Sequence, residues 1–186
     1  MTTTSPAAPP ATATSTLDIA GVSRWYGNVV AVNDVTFALG PGITGLLGPN
    51  GAGKSTLLHM LAGLLAPSAG TVRIDGRPAF GRPEIYRDVG LVPEREAVPG
   101  FLTGQEFARF SAEMQGVADP GAAADRAMST VELADAAHRQ MRTYSKGMRQ
   151  RAKLASALVH DPHILLLDEP FNGMDCLLYT SDAADE

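Results

Sequence analysis

The feature that most constrains this chain is a glycine-rich segment of nine residues, Gly48-Pro49-Asn50-Gly51-Ala52-Gly53-Lys54-Ser55-Thr56. Glycines let backbone N–H groups turn inward around an anion, because no Cβ stands in the way. The apolar run 43–47 before the segment predicts a buried strand, and leucines at helical spacing after it predict a helix beginning near Lys54. A strand, a glycine-rich loop and a helix in that order are the context that the Walker A pattern requires.

The loop predicts a site for the phosphates of a nucleotide, ATP with Mg²⁺. Lys54 is expected to reach the β- and γ-phosphates, and the Ser55 hydroxyl to bind the metal ion. The N-terminal end of the following helix adds partial positive charge. The alternative is a glycine-rich turn that matches the pattern by chance, and the predicted strand and helix argue against it.

Composition limits the class of protein. The 186 residues are 45 % hydrophobic and 19 % charged, as in a globular domain, and no apolar run is long enough for a membrane span. The net charge of −5 gives no indication of a nucleic-acid-binding surface. Residues 1–16 carry no charged side chain and no secretory pattern, so we interpret them as a disordered tail. The one cysteine, Cys176, permits no intrachain disulfide, which suits a cytosolic protein.

The remaining pattern predicts an α/β domain. Strands are predicted at 17–22, around 35–39, at 71–75 and at 89–92. A helical block follows at about 103–160, with a capping box at Thr103, a helix opening at Asp119-Pro120 and a cap at Ser145. The apolar strand 164–167 then ends in two acids.

These acids, Asp168 and Glu169, follow Lys54 by more than a hundred residues, in the manner of a Walker B motif. Asp168 is expected to hold Mg²⁺ through water, and Glu169 to act as the general base that polarises the attacking water. Alone, this segment could be any core strand that meets a surface turn. Together with the phosphate loop, it favours hydrolysis.

A third motif carries a resemblance to a known family. The segment 144–151, YSKGMRQR, resembles the signature motif of ABC-type ATPases, and 172–175, NGMD, resembles their D-loop. With the two Walker motifs, residues 17–175 look like the ATP-binding subunit of an ABC transporter. The resemblance implies a P-loop NTPase (RecA-like) core with an N-terminal antiparallel β subdomain and an inserted α-helical subdomain at about 95–160.

The resemblance also implies roles for single residues. Tyr26 resembles the aromatic residue that stacks on adenine, with its neighbour Trp25 as the rival candidate. Ser145 and Gly147 would contact the γ-phosphate of ATP held by a second ABC ATPase domain, so two domains would enclose two ATP molecules. Asp175 would help to position that dimer.

The sequence departs from the family pattern at three positions. The usual signature Gly and Gln are Lys146 and Met148, and Glu94 replaces a Gln that senses Mg²⁺ near the membrane subunit. A carboxylate can still coordinate Mg²⁺. These features resemble a branch of prokaryotic exporters with integral membrane permeases as separate chains, which implies a place at the cytoplasmic face of the cell membrane. The alternatives are a non-transport ABC ATPase that acts on ribosomes or DNA, and a nucleotide-binding module without turnover.

The last eleven residues, 176–186, do not continue the family pattern. Their back-translation resembles a transposon-type sequencing adapter, so we expect them to be a non-native tail on a truncated chain. The family's switch histidine would lie beyond this point, and none of the four histidines present is assigned to catalysis. We therefore expect the chain as given to be impaired as an ATPase.

Overall fold

The computed structural model describes residues 16–94 and 98–170. The chain divides into two compact units, Met1–Arg82 and Pro83–Glu186. Each unit contains one of the two phosphate-related motifs predicted from the sequence, and each is described by itself.

The first unit is built on an antiparallel sheet of four strands in the order β2-β1-β3-β4. The strands are β1 Leu17–Tyr26, β2 Val29–Leu39, β3 Ala69–Ile74 and β4 Arg77–Pro78. Leu17 lies opposite Leu39 on one side and Ile74 on the other, and these registers bury one face of the sheet. The helix α1, Lys54–Leu61, buries Leu57, Met60 and Leu61. The predicted N-terminal antiparallel sheet is confirmed, with β1 and β2 longer than their sequence patterns indicated.

The strand predicted at 43–47 is wrong. No strand is assigned there, and the side chains of Ile43 and Leu47 are almost fully exposed. An apolar run becomes a strand only when a neighbour offers a hydrogen-bonding ladder, and no strand of the described ranges pairs with this segment. The apolar residues of 43–47 therefore predicted a buried strand, but no strand of the described residues pairs with this segment.

The helix α1 also ends earlier than predicted, at Leu61 rather than near Pro67. Gly63 has a φ of 71° and its N–H donates to the Met60 carbonyl, while the Leu64 N–H donates to the His59 carbonyl. This is a Schellman termination, which needs a left-handed residue after the last helical turn. The later leucine that matched helical spacing therefore lies beyond the helix.

The second unit contains a parallel pair of strands, β5 Val89–Val92 and β6 Ile164–Leu167, in register from Val89 opposite Ile164. The chain between them forms the helices α2 Gly104–Met114, α3 Pro120–Thr130 and α4 Lys146–Leu158. Short 3₁₀ turns occur at Pro83–Arg87, Ala134–Ala136 and Met141–Thr143. The predicted insertion of a helical block between two core strands is confirmed.

Small side chains let the three helices approach one another closely. Their shared core is made of buried alanines around larger side chains, namely Ala108, Ala112, Ala124, Ala127, Met128, Met141, Tyr144 and Ala155. The core encloses the Tyr144 hydroxyl, which donates to the Ala136 carbonyl at 2.7 Å, and burial raises the pKa of this phenol. No helix in the described parts of the chain is long and apolar enough to cross a membrane.

The predicted helix caps are confirmed. The Thr103 N–H donates to the Glu106 carboxylate at 2.8 Å, and the Glu106 N–H donates to the Thr103 hydroxyl at 3.1 Å. Asp119 accepts from the Ala122 N–H, and Ser145 accepts from the Met148 N–H. Each side chain satisfies an amide that the first helical turn leaves unpaired.

Candidate nucleotide-binding site

The loop 48–56 has the backbone that its glycines predicted. Gly51 and Gly53 have φ values of 81° and 84°, in the left-handed region that favours glycine. The Ala52 N–H donates to the Pro49 carbonyl at 3.2 Å, which closes a turn inside the loop. Gly53 is the N-cap of α1, and no side chain caps this helix end. The first amides of α1 are therefore available to an anion, since they have no acceptor within the helix.

Gly53 is held against strand β2. A Cβ at this position would overlap the carbonyl oxygen of Ala31 and would lie 3.2 Å from Cγ2 of Val32. A Cβ at Gly51 would meet nothing within 4 Å. The two glycines therefore differ in role, because Gly51 is required by its φ alone and Gly53 also by the close approach of another strand.

The Lys54 side chain folds back over the loop. Its Nζ donates to the carbonyl oxygens of Gly48 and Pro49, both at 3.0 Å. This places the ammonium group against the backbone of the same loop whose glycines form the anion cradle. Ser55 and Thr56 follow in the first turn of α1, half-buried. Glycine conformation, helix end and lysine are thus combined at one place, and together they fit a polyphosphate.

The contact between Arg24 and the Tyr26 ring connects Tyr26 with the part of β1 that lies opposite the loop-contacting residue of β2. Arg24 lies opposite Val32, and an irregularity follows, after which Trp25 lies opposite Val30. Val32 is the residue that contacts Gly53. Tyr26 shares the face of Arg24, because residues two apart in a strand point the same way, and the Arg24 Cζ lies 4.8 Å from the Tyr26 ring centroid. Beyond the irregularity, Tyr26 lies opposite Val29.

The two acids predicted as Walker B lie at the end of β6. Asp168 is buried, and its N–H donates to the Val92 carbonyl at 2.9 Å, so the ends of β5 and β6 are joined. Glu169 has a φ of 48°, a left-handed conformation that is uncommon for a residue with a side chain. The chain therefore turns sharply between the two carboxylates.

Glu94 and the signature residues lie in the same unit as these acids. Glu94 follows β5 and is half-buried, and its carbonyl and that of Pro93 accept from the Nζ of Lys153 at 3.2 and 3.0 Å. Ser145 caps α4, and Gly147 lies in its first turn. The described residues contain no cluster of three or more side chains of the metal-binding types.

Some predicted residues cannot be placed. Asp175 and the segment 171–186, which includes the predicted tail 176–186, lie outside the described residues, as does 1–15. Of the predicted metal ligands, Ser55 belongs to the first unit, and Asp168 and Glu94 belong to the second.

Sequence reasoning missed two cations. Arg24 contacts the Tyr26 ring and also donates to the Ala66 carbonyl at 3.2 Å, and a basic residue two positions before an aromatic one on a strand could have indicated that contact. Lys153 is buried on α4, and one lysine in a helix gives no such signal.

Comparison with known proteins places the motifs in a family. The pattern of the ABC transporter family matches residues 32–172, most of the chain. The ABC transporter ATP-binding protein YxlF of Bacillus subtilis is 38 % identical over 162 residues, which are 86 % of this chain and 54 % of YxlF. The taurine import ATP-binding protein TauB of Yersinia pestis is 37 % identical, over 86 % of this chain and 62 % of TauB.

Two further matches extend the comparison. The sulfate/thiosulfate import ATP-binding protein CysA of Mycobacterium tuberculosis is 39 % identical, over 84 % of this chain and 46 % of CysA. A solved structure of a metal-chelate type ABC transporter in an inward-facing conformation has the same fold, with a TM-score of 0.73 and 24 % identity, over 88 % of this chain and 63 % of the other. This chain spans about half to three-fifths of the length of these proteins. Two relatives are named as import proteins, so the predicted export direction gains no support from them.

Proposed function

This chain belongs to the ABC transporter family, as one of its ATP-binding proteins, and from this premise we propose that it binds and hydrolyses MgATP to energise transport. The observation that carries the proposal is the loop 48–56, where two left-handed glycines, an uncapped helix end and the Lys54 ammonium converge. The acids that end β6 and the signature residues are the candidates for further groups of the site.

In the proposed site, the amides at the start of α1 bind the phosphates and Lys54 exchanges its two carbonyl acceptors for phosphate oxygens. That exchange keeps the ammonium hydrogen-bonded both with and without nucleotide. Tyr26 is the better candidate than Trp25 to stack on adenine, because its ring lies against Arg24, whose strand partner Val32 contacts the loop. Its ring is about half exposed, so one face can take a planar base.

Hydrolysis would depend on the acids that end β6. Mg²⁺, when bound, would supply positive charge beside the β- and γ-phosphates, with Ser55, Asp168 and Glu94 as the candidate protein groups around it. Glu169 would accept a proton from the attacking water. Asp168 and Glu169 would serve different tasks, since one is the candidate metal ligand and the other the candidate proton acceptor.

The proposed partners are a second ABC ATPase domain and integral membrane permeases. Ser145 and Gly147 lie at the beginning of α4, where a helix N-terminus can face a partner's γ-phosphate, and Asp175 is proposed to help position the dimer. The second unit also exposes the large apolar side chains of Phe101, Phe110 and Met114, which suits a protein contact. The permeases would hold the protein at the cytoplasmic face of the membrane and select the substrate. No nucleic-acid partner is proposed.

The direct test is steady-state MgATP hydrolysis by the protein at the full length of its relatives, of which this chain spans about half to three-fifths, and by two variants of it. Lys54→Met should weaken ATP binding, and Glu169→Gln should retain binding but lose hydrolysis by about 10²–10⁴-fold. Arg77→Met removes an equal charge from an exposed ion pair of the first unit and is the matched control, with no change expected. Binding without hydrolysis in the unmodified protein, alone and with its permease, would refute the ATPase and leave a binding module.

Dimerisation has a separate test. In the Glu169→Gln background, ATP should shift the protein from monomer to dimer in sedimentation velocity. Gly147→Glu should abolish the shift, because it adds negative charge where a partner's phosphate is expected. A protein that stays monomeric at saturating ATP would contradict the proposed arrangement.

A further inference from the structure

Lys153 is the buried cation of the helical block. It lies on α4 among small apolar side chains, between Ala152 and Ala155, and is only 8 % exposed. Lysine is almost never buried in this way unless its ammonium is paired, since removing a charge from water is costly. The place where this ammonium binds should therefore matter to the protein.

The ammonium binds the backbone at the end of β5. Nζ of Lys153 donates to the Pro93 carbonyl at 3.0 Å and to the Glu94 carbonyl at 3.2 Å, across about sixty positions of sequence. The neighbouring Val92 carbonyl accepts from the Asp168 N–H. Three successive carbonyls of one short segment are thus tied to the Walker B turn and to α4.

The other end of the same helix carries the signature residues. Ser145 precedes α4 and Lys153 lies two turns into it, about 12 Å along the helix axis at 1.5 Å per residue. An α-helix of this length behaves as a stiff rod. While the hydrogen bonds of Lys153 to the Pro93 and Glu94 carbonyls hold, such a rod can pass a displacement of the segment 93–94 to Ser145 and Gly147.

We propose that Lys153 is a positioning residue that locks the backbone of Pro93 and Glu94 to α4, the helix of the signature motif. The Glu94 carboxylate and the signature residues Ser145 and Gly147 then move together. The inference rests on the proposed function for the roles of Glu94 and Ser145, whereas the lock itself is a property of the second unit alone. Lys153 is proposed to act through Glu94 and α4, not by contact with nucleotide or metal.

The chain supplies a matched control. Arg151, two residues earlier on α4, donates from Nη1 to the carbonyls of Val131 and Glu132, both at 3.2 Å. It too is a cation of α4 that binds two backbone carbonyls far away in sequence, but these belong to the end of α3. Lys153→Met and Arg151→Met therefore each remove a cation that binds two backbone carbonyls, although Arg151 is more exposed and also pairs with the Glu132 carboxylate at 3.8 Å.

The first measurement is amide hydrogen exchange at Glu94 and Asp168 in the nucleotide-free protein. Lys153→Met should accelerate exchange at both amides by at least about tenfold, because two carbonyls lose a donor and the segment opens more often. Lys153→Arg, which keeps the charge and the donors, should restore most of the protection. Arg151→Met should leave both amides unchanged, and equal acceleration in the two Met variants would overturn the lock.

The second measurement is the Mg²⁺ concentration that gives half-maximal ATP binding. Lys153→Met should raise it roughly three- to tenfold through misplacement of Glu94, Arg151→Met should leave it unchanged, and Lys153→Arg should recover it. Faster exchange with an unchanged Mg²⁺ requirement would overturn the positioning role. Failure of every form, including the unmodified protein, to bind MgATP would refute the proposed function, while the exchange result still decides the lock.

Discussion

The sharpest prediction concerns the two left-handed glycines of the phosphate loop. Gly51 and Gly53 have nearly the same φ, 81° and 84°, but a Cβ has open space at Gly51 and overlaps the Ala31 carbonyl at Gly53. Replacing each by alanine therefore separates the cost of the backbone conformation from the cost of the close approach to β2.

The magnitudes follow from these two costs. A Cβ in the left-handed region costs about 1–2 kcal/mol, and this applies to both variants. The overlap in Gly53→Ala adds the strain of overpacking, about 1–3 kcal/mol, because backbone of β2 must shift. The difference between the variants is then about 1–3 kcal/mol, which corresponds to roughly 3–10 °C in Tm for a chain of this size.

The assay is urea unfolding followed by tryptophan fluorescence. Trp25 is the one tryptophan of the chain and lies on β1, so its signal reports on the first unit even if the second unfolds separately. Gly53→Ala should also weaken ATP binding more than Gly51→Ala, since the strain is relieved by movement of the loop. Equal stability of the two variants would refute the argument from the close approach.

Three further outcomes follow from the structure. Burial lowers the pKa of His160 below 6.5. As the pH falls below about 6.5, the unfolded chain therefore takes up a proton before the folded chain does, and the free energy of unfolding decreases. His160→Gln should flatten this part of a pH–stability profile, and an unchanged profile would contradict the prediction. Thr103→Ala should cost about 1 kcal/mol in urea unfolding through loss of the α2 cap, and a loss under a few tenths would contradict the capping box. Glu169→Gly should abolish hydrolysis yet raise the free energy of unfolding by up to about 1 kcal/mol, because Glu169 has a left-handed backbone. Glu132→Gly should raise stability for the same reason without affecting hydrolysis. A loss of stability in both variants would contradict the strain argument.

The sequence predicted the features that depend on a few neighbouring residues. The capping box at Thr103, the cap at Asp119 and the cap at Ser145 are decided within one helical turn, and all three are present. Apolar runs predicted the strands β5 and β6 and helical patterns predicted the block between them, whereas the parallel pairing of the two strands is a finding of the structure.

The features that the sequence could not predict depend on partners far away in the chain. The apolar segment 43–47 forms no strand, since a ladder is a property of two segments. Lys153 was missed because its acceptors lie about sixty residues earlier.

A non-glycine residue with positive φ indicates a functional site only when other observations at the same place agree. The described residues include five non-glycine residues with positive φ, of which Glu132 and Asp161 follow the ends of α3 and α4 and Asp75 lies in the β3–β4 turn. Such positions accept a left-handed residue at modest cost. Glu169 instead follows the buried Asp168, whose backbone N–H donates to the Val92 carbonyl of β5. The paired strands therefore hold the strained turn in place. The buried ammonium of Lys153 reaches the same end of β5. The strained Glu169, the buried Asp168 and the buried Lys153 thus meet at the neighbouring ends of β5 and β6. Their occurrence together, more than any one of them, favours a functional role at this place.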